Sequence, residues 1–199
     1  MRRLLSFHAL LVYLFLYLPI LVVVALSFNE SRRGVHFTGF TLKWYQGLFQ
    51  DPRVLEYFAN TLVVALVSTL VSTVLGTLLA LGLVRYRFPG KGFLRYLLYV
   101  PVVVPDVVMG VSLLLLFAFS RELLGFPRLS LLTVILGHIT FQVAFVTLVV
   151  RSRLLLLDPA LEEAARDLGA RGFQTFLHVT LPLAWPGVAA GALLALTLS

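Results

Sequence analysis

Asp106 is the residue whose position in this sequence most strongly calls for a chemical role. It is the only ionised side chain in five long apolar stretches, and Pro101 and Pro105 precede it, which suits an irregular, pore-lining segment. An ionisable group in such surroundings is costly to bury and usually faces a cavity or a partner. A carboxylate there would attract a polycationic amine and repel an oxyanion. The alternative is a structural carboxyl, protonated or hydrogen-bonded to a neighbouring helix.

His138 and Gln142 are further polar residues within an apolar stretch. They are four positions apart, so a helix would place them on one face. Together with Asp106 they are candidates to line a path for a substrate. Such side chains also hold neighbouring helices together through hydrogen bonds, and the sequence leaves both interpretations open.

A charged stretch that contains glycine, Glu162–Ala184, separates two of the apolar runs and reads EEAARDLGARGFQTFLHVTLPLA. Asp158 and Pro159 predict the start of a helix just before it. Gly169 predicts the left-handed turn that ends this helix. A second short helix follows, and Leu181-Pro182 marks the entry to the next apolar run.

The first of these short helices is amphipathic. Leu161, Leu168 and either Ala164 or Ala165 fall at helical spacing and form an apolar stripe with small side chains. Small side chains permit close approach of another surface. Periodicity alone does not decide whether the stripe docks on a protein or lies on lipid headgroups.

The composition requires membrane helices to carry these residues. Of 199 residues, 60% are hydrophobic and 13% are charged, and the mean hydropathy is +0.98. A soluble domain of this length could not hide that much apolar surface in one core. Backbone groups in lipid must be satisfied within the segment, which favours helices of about 20 residues. We therefore predict an all-α, polytopic transmembrane bundle that forms a single domain over residues 1–199. The predicted spans are about 9–28, 61–84, 96–119, 130–150 and 180–199.

Two details of the spans bear on function. The N-terminal run begins like a signal peptide, but it is longer than a signal core and further spans follow, so we interpret it as an uncleaved first span. The third span would place Asp106 about ten residues from its start, near the midplane of the bilayer by helix rise.

Lys and Arg residues set the predicted orientation. With a cytoplasmic N-terminus, ten of them lie on inner segments and six, including Arg32 and Arg33, on outer segments, as the positive-inside rule favours. Residues 85–95 and 151–178 would then be cytoplasmic and residues 29–60 periplasmic. Because the basic residues are divided among short loops, we expect no nucleic-acid partner. The chain has no cysteine, which excludes disulfides and thiolate metal sites, and we predict no metal site.

The charged stretch resembles the EAA loop of binding-protein-dependent ABC importer permeases. The family pattern is Glu-Ala-Ala, three residues, Gly, nine residues, Ile, any residue, then Leu-Pro. Here Glu163-Ala164-Ala165, Gly169 and Leu181-Pro182 match at that spacing, and Val179 replaces the isoleucine. The resemblance implies that residues 151–178 form a cytoplasmic coupling loop that docks on an ATPase subunit. The coupling residues it implies are Glu163, Ala164, Ala165, Leu168, Gly169, Leu181 and Pro182.

The resemblance extends over nearly the whole chain, through segments such as RYRFPGKGFLR and GHITFQVAFV. The chain is most similar to the second permease subunit of spermidine/putrescine importers. The family implies a MetI-like, type I ABC importer fold in the bacterial inner membrane, with a sixth span that is expected but absent from this chain. It also implies a heterodimer with a second permease subunit, two ATPase subunits and a periplasmic substrate-binding protein.

The sequence contains no Gly-x-x-x-x-Gly-Lys-Ser/Thr pattern for binding phosphate. We therefore expect no catalytic residue and no cofactor on this chain, with ATP and Mg²⁺ bound by the ATPase partner. One alternative to a polyamine importer is an ABC permease for another solute, such as iron or phosphonate. Another is an ion-coupled secondary transporter, a class that usually shows paired repeats and several intramembrane charges.

Overall fold

The computed structural model describes residues 2–31 and 36–199, with side chains from residue 4 onward. Arg32 and Arg33, which entered the orientation argument, lie outside the described residues. Regular secondary structure in the described residues is helical, apart from an isolated β-bridge between Asn29 and Phe40. This confirms the predicted all-α class. In chain order the elements are α1 (Arg2–Ser27), α2 (Lys43–Gln50), α3 (Pro52–Arg85), α4 (Lys91–Leu97), α5 (Val100–Val103), α6 (Asp106–Leu124), α7 (Leu131–Leu155), α8 (Ala160–Asp167), α9 (Gly172–Thr175), a π-helical turn (Phe176–Thr180) and α10 (Leu181–Thr197).

Five helical segments in the described part of the chain are long and apolar enough to cross a membrane. They are Leu4–Ser27, Pro52–Arg85, Asp106–Leu124, Leu131–Leu155 and Gly172–Thr197. Each overlaps one of the predicted spans. The last segment begins earlier than predicted because α9, the π-helical turn and α10 follow one another without a break.

The predicted continuous third span, residues 96–119, is wrong. The chain there forms α4 and α5, and α6 begins only at Asp106. Pro105 has no amide hydrogen and disfavours helical geometry in the residue before it. Val104 is accordingly extended, with a ψ of 131°. Asp106 therefore lies in the first turn of α6 rather than ten residues into a helix, and a depth calculated from helix rise does not apply to it.

The chain divides into two compact units, Met1–Ala59 and Asn60–Ser199. In the first unit the fully buried Asn29 organises the segment that follows α1. Its side-chain Nδ2 donates to the backbone carbonyl of His36 at 2.6 Å, and its backbone carbonyl accepts from Trp44 Nε1 at 2.9 Å. The bond from Trp44 attaches α2 to the segment that follows α1.

In the second unit, small residues let α3, α7 and α10 approach one another closely around Val146. A Cβ on Gly76 of α3 would lie 2.7 Å from the Cβ of Val146, and one on Gly191 of α10 would lie 3.3 Å from its Cγ1. Small residues at helix interfaces are typical of membrane proteins, where close van der Waals packing drives association. The main cluster of buried apolar residues in this three-helix frame comprises Ala80, Val146, Val150, Leu154, Ala184, Val188 and Ala195.

Candidate functional site

The coupling segment begins as the sequence predicts. The Oδ1 atom of Asp158 accepts a hydrogen bond from the backbone amide of Ala160 at 2.9 Å. Pro159 directly precedes α8, and its carbonyl accepts from the amide of Glu162 at 3.0 Å. Both acidic residues of the first turn, Glu162 and Glu163, lie at the positive end of the helix dipole.

Gly169 ends α8 in the left-handed conformation, with a φ of +90°. Its amide donates to the carbonyl of Arg166 at 2.9 Å, and the amide of Ala170 reaches back to Ala165 at 3.0 Å. This pair of bonds is the Schellman arrangement, which requires a residue that tolerates positive φ. The predicted left-handed turn at Gly169 is therefore confirmed.

The two faces of α8 differ in their surroundings. Leu161, Ala164 and Leu168 are exposed and form the apolar stripe, and Leu168 is 90% exposed. The structure thereby resolves the alternative between Ala164 and Ala165, because Ala164 is exposed and Ala165 is half-buried. Glu163 is exposed as well. The exposed surface of α8 thus combines an apolar stripe with the charged side chains of Glu163, Arg166 and Asp167.

The remaining residues of the family pattern lie outside α8. Leu181 and Pro182 are the first two residues of α10, and Pro182 cannot donate the hydrogen bond that an α-helix would make to residue 178. The π-helical turn that precedes it uses the longer spacing instead, with the amide of Leu181 donating to Phe176. Leu181 and Pro182 therefore shape the entry to α10.

Glu162 is a residue that sequence reasoning did not single out. Its Oε1 atom accepts from Arg85 Nη2 at 2.8 Å and from Thr180 Oγ1 at 2.8 Å. A third group, Arg166 Nη2, lies 3.7 Å from Oε2. The only sequence signal was an arginine at the end of one apolar run and a glutamate in a loop predicted on the same side of the membrane.

Asp106 and His138 line the same cavity, between α6 and α7, with a volume of about 340 Å³. Thr133 contributes a third polar side chain to the wall, and most of the other lining residues are apolar, among them Leu113 and Phe141. We call this space the α6–α7 cavity. A carboxylate and an imidazole on a mostly apolar wall can fix the orientation of a cationic or hydrogen-bonding guest.

Gln142 does not line the α6–α7 cavity with them. It is fully buried between helices, where its Oε1 accepts from Ser72 Oγ at 3.1 Å and its Nε2 donates to the carbonyl of Ala195 at 3.0 Å. These contacts join α7 to α3 and α10. The structure therefore separates the predicted pair, with His138 at the cavity and Gln142 in helix packing.

Comparison with known proteins places these features in a family. The family described as "Binding-protein-dependent transport system inner membrane component" matches residues 72–199, a segment that contains α8, Asp106 and the π-helical turn. The chain belongs to this family. The permease is 43% identical over 188 residues to the spermidine/putrescine transport system permease protein PotC of Escherichia coli K12, an alignment covering 94% of this chain and 69% of that protein.

Two further comparisons agree with that assignment. The permease is 40% identical over 192 residues to the putrescine transport system permease protein PotI of Escherichia coli K12, with 96% and 68% of the two chains covered. Its fold is similar to a chain in the crystal structure of a bacterial ABC transporter that imports the acidic polysaccharide alginate. That match has a TM-score of 0.74 at 19% identity and covers 98% of this chain and 72% of the other. The predicted fold class is confirmed, and the permease is a multi-pass membrane protein.

Proposed function

We propose that this permease forms part of the membrane channel of an ATP-driven importer of polyamines, such as spermidine and putrescine. The observation that carries the choice of substrate is Asp106 on the wall of the α6–α7 cavity. A carboxylate attracts an ammonium group and repels an oxyanion, so the cavity suits a polycation. The proteins that share 43% and 40% identity with it are named for spermidine and putrescine transport.

We propose that α8 is the coupling helix, which docks on a separate ATPase subunit. Its exposed stripe of Leu161, Ala164 and Leu168 forms an apolar patch outside the spans. An exposed apolar patch of this kind needs a covering surface, and the alanine in its centre permits close approach. In the full importer the ATPase would bind ATP and Mg²⁺, a second permease subunit would complete the channel, and a periplasmic binding protein would deliver the substrate.

The proposed function is tested by uptake in proteoliposomes that contain this permease, its companion permease and the ATPase. With the loaded binding protein outside and ATP inside, labelled spermidine or putrescine should accumulate, and molybdate should not. Dissipating ion gradients with ionophores should leave the uptake unchanged, since ATP supplies the energy. Uptake that follows an ion gradient without ATP would support a secondary transporter, and uptake of another solute alone would refute the polyamine assignment.

We also propose that the N-terminus lies in the cytoplasm, from the distribution of Lys and Arg. The chain has no cysteine, so single cysteines report on one position each. Pro89→Cys and Arg171→Cys should react with a membrane-impermeant thiol reagent only after the cells are permeabilised, whereas Gln50→Cys should react in intact cells. All three residues are exposed, so access to the reagent depends on the side of the membrane. The reverse pattern would invert the topology and remove α8 from the ATPase side.

A further inference from the structure

The carboxylate of Glu162 joins three separate elements of the second unit. Arg85, which donates to it at 2.8 Å, is the last residue of α3. Thr180, which also donates at 2.8 Å, is the last residue of the π-helical turn that leads into α10. Glu162 itself lies in the first turn of α8. We call these three residues the Glu162 junction.

The side chains of the Glu162 junction are largely shielded from solvent, so its charge-assisted hydrogen bonds hold the three elements together. The side chains of Arg85 and Glu162 are 22% and 12% exposed, and Thr180 is buried. Hydrogen bonds that involve an ionised partner are shorter and about twice as strong as neutral ones. The pair between Glu162 and Arg166 is of a different kind, since it is 3.7 Å long and Arg166 is 59% exposed. Such an exposed pair contributes little.

The junction lies away from the surface of α8 that is proposed to meet the ATPase. Glu162 and Glu163 are consecutive, and consecutive side chains on an α-helix point about 100° apart. Glu162 binds α3 and the π-helical turn, and at 100° per residue it lies about 100° or more around the helix from Leu161, Ala164 and Leu168. The first turn of α8 therefore carries a half-buried carboxylate, Glu162, and an exposed one, Glu163.

We infer that Glu162 is a positioning residue that couples movement of α8 to the membrane helices α3 and α10 at the same time. A force applied to the outer face of α8 reaches both spans through its single Oε1 atom, since Arg85 and Thr180 both bind there. The π-helical turn contributes by presenting Thr180 at the end of the segment that enters α10. This inference rests on the proposed function, in which α8 receives the movement of an ATPase.

The test compares charge-removing variants in the reconstituted importer. Glu162→Gln and Arg85→Gln should raise the number of ATP molecules hydrolysed per polyamine imported by roughly tenfold, the size of effect expected for loss of a hydrogen bond to a charged group. Arg166→Gln is the matched control, because it removes an arginine from the same carboxylate at the exposed pair. It should change the ratio by less than about twofold.

A structural role and a positioning role give different results. If the junction only supports folding, uptake and ATP hydrolysis should fall together with the amount of assembled complex, and their ratio should stay constant, which would overturn the inference. The double variant Glu162→Arg with Arg85→Glu restores a charge pair with reversed order. It should bring the ratio back toward that of the unmodified permease. If Glu162→Gln does not assemble, Arg85→Gln decides: a raised ratio in the assembled complex supports the inference, and a normal ratio or failure of this variant to assemble contradicts it.

A second measurement separates this inference from the proposed substrate. Hydrogen exchange of the α8 amides in the purified permease needs neither polyamine nor ATPase. Glu162→Gln should speed exchange at Glu163–Asp167 by roughly tenfold, because α8 is released from α3 and the π-helical turn, and Arg166→Gln should not. Unchanged exchange in Glu162→Gln would overturn the inference even if polyamine uptake is found. Faster exchange together with failed uptake of polyamines would support the role inferred for Glu162 and would refute the proposed substrate instead.

Discussion

Replacing Gly169 with valine is expected to uncouple ATP hydrolysis from import. Gly169 has a φ of +90° and closes α8 through the Schellman bonds of Gly169 and Ala170. A β-branched residue in that conformation is strained by about 1–3 kcal/mol. The strain should displace the end of α8 and the exposed Leu168 beside it. Since about 1.4 kcal/mol corresponds to a factor of ten, uptake and the extra ATP hydrolysis triggered by the loaded binding protein should both fall roughly tenfold. The ATP hydrolysis seen without the binding protein should continue, so that more ATP is used per polyamine imported.

Gly172→Val provides the matched control for this prediction. Gly172 is close to Gly169 in the chain, but its φ is not in the left-handed region, and a Cβ there would meet no atom within 4 Å. This variant should retain nearly full uptake. The amount of permease in the membrane should be unchanged in both variants, because neither residue packs in the three-helix frame. Normal uptake and normal ATPase stimulation in Gly169→Val would exclude the docking role of α8.

The coupling segment could be predicted from the sequence because its signals are local. An aspartate followed by a proline favours the start of a helix, as Asp158 and Pro159 do here. Glycine readily adopts the left-handed conformation of Gly169, which other residues resist. The structure contains the helix between these markers and the left-handed turn after it. The apolar runs are equally local signals, since hydrocarbon demands helices of a minimum length, and all five predicted spans overlap helical segments among the described residues.

Contacts between distant parts of the chain could not be predicted in this way. Glu162 lies 77 residues from Arg85 and 18 from Thr180, and no periodicity relates them. Gln142 illustrates the same limit. Its spacing from His138 correctly predicts neighbours on one helix, but only the positions of Ser72 and Ala195 reveal that its amide is used in packing.

The error in the third span has a local cause that hydropathy does not register. Valine and proline are both apolar, so residues 96–119 form one continuous run by composition. The backbone responds instead to the missing amide hydrogen of Pro105 and to the steric restriction on Val104. The resulting break makes Asp106 the first residue of α6, where the helix dipole favours a negative charge.

Replacing Asp106 with asparagine is expected to reduce polyamine uptake at least tenfold while the complex still assembles and hydrolyses ATP. Asparagine keeps the shape of the side chain and one of its two acceptor oxygens, and it deletes the charge. Asp106 and His138 both line the α6–α7 cavity. Few other groups in this cavity can balance the positive charge of a passing ammonium group. A desolvated cation needs such a partner, so its transfer should slow when the carboxylate is lost. Uptake should be measured in proteoliposomes beside the amount of ATPase that copurifies with the permease.

Because Asp106 lies in the first turn of α6, weakening of this helix is a competing explanation for reduced uptake in Asp106→Asn. The same experiment tests it. A negative charge there stabilises the helix by about 0.3–1 kcal/mol, so Asp106→Asn also weakens α6 slightly. That loss alone would lower the amount of assembled permease and would affect any substrate equally.

Asp51→Asn is the matched control for a helix start and should leave uptake unchanged. Asp51 is an exposed aspartate that caps α3 by accepting a hydrogen bond from the amide of Arg53 at 2.9 Å. Normal polyamine uptake by Asp106→Asn would show that the charge is not used in transport, and failed assembly would identify Asp106 as a structural residue of α6. Loss of uptake with intact assembly is the outcome that follows if the carboxylate binds the passing cation, because only then does the charge act on the substrate rather than on the helix.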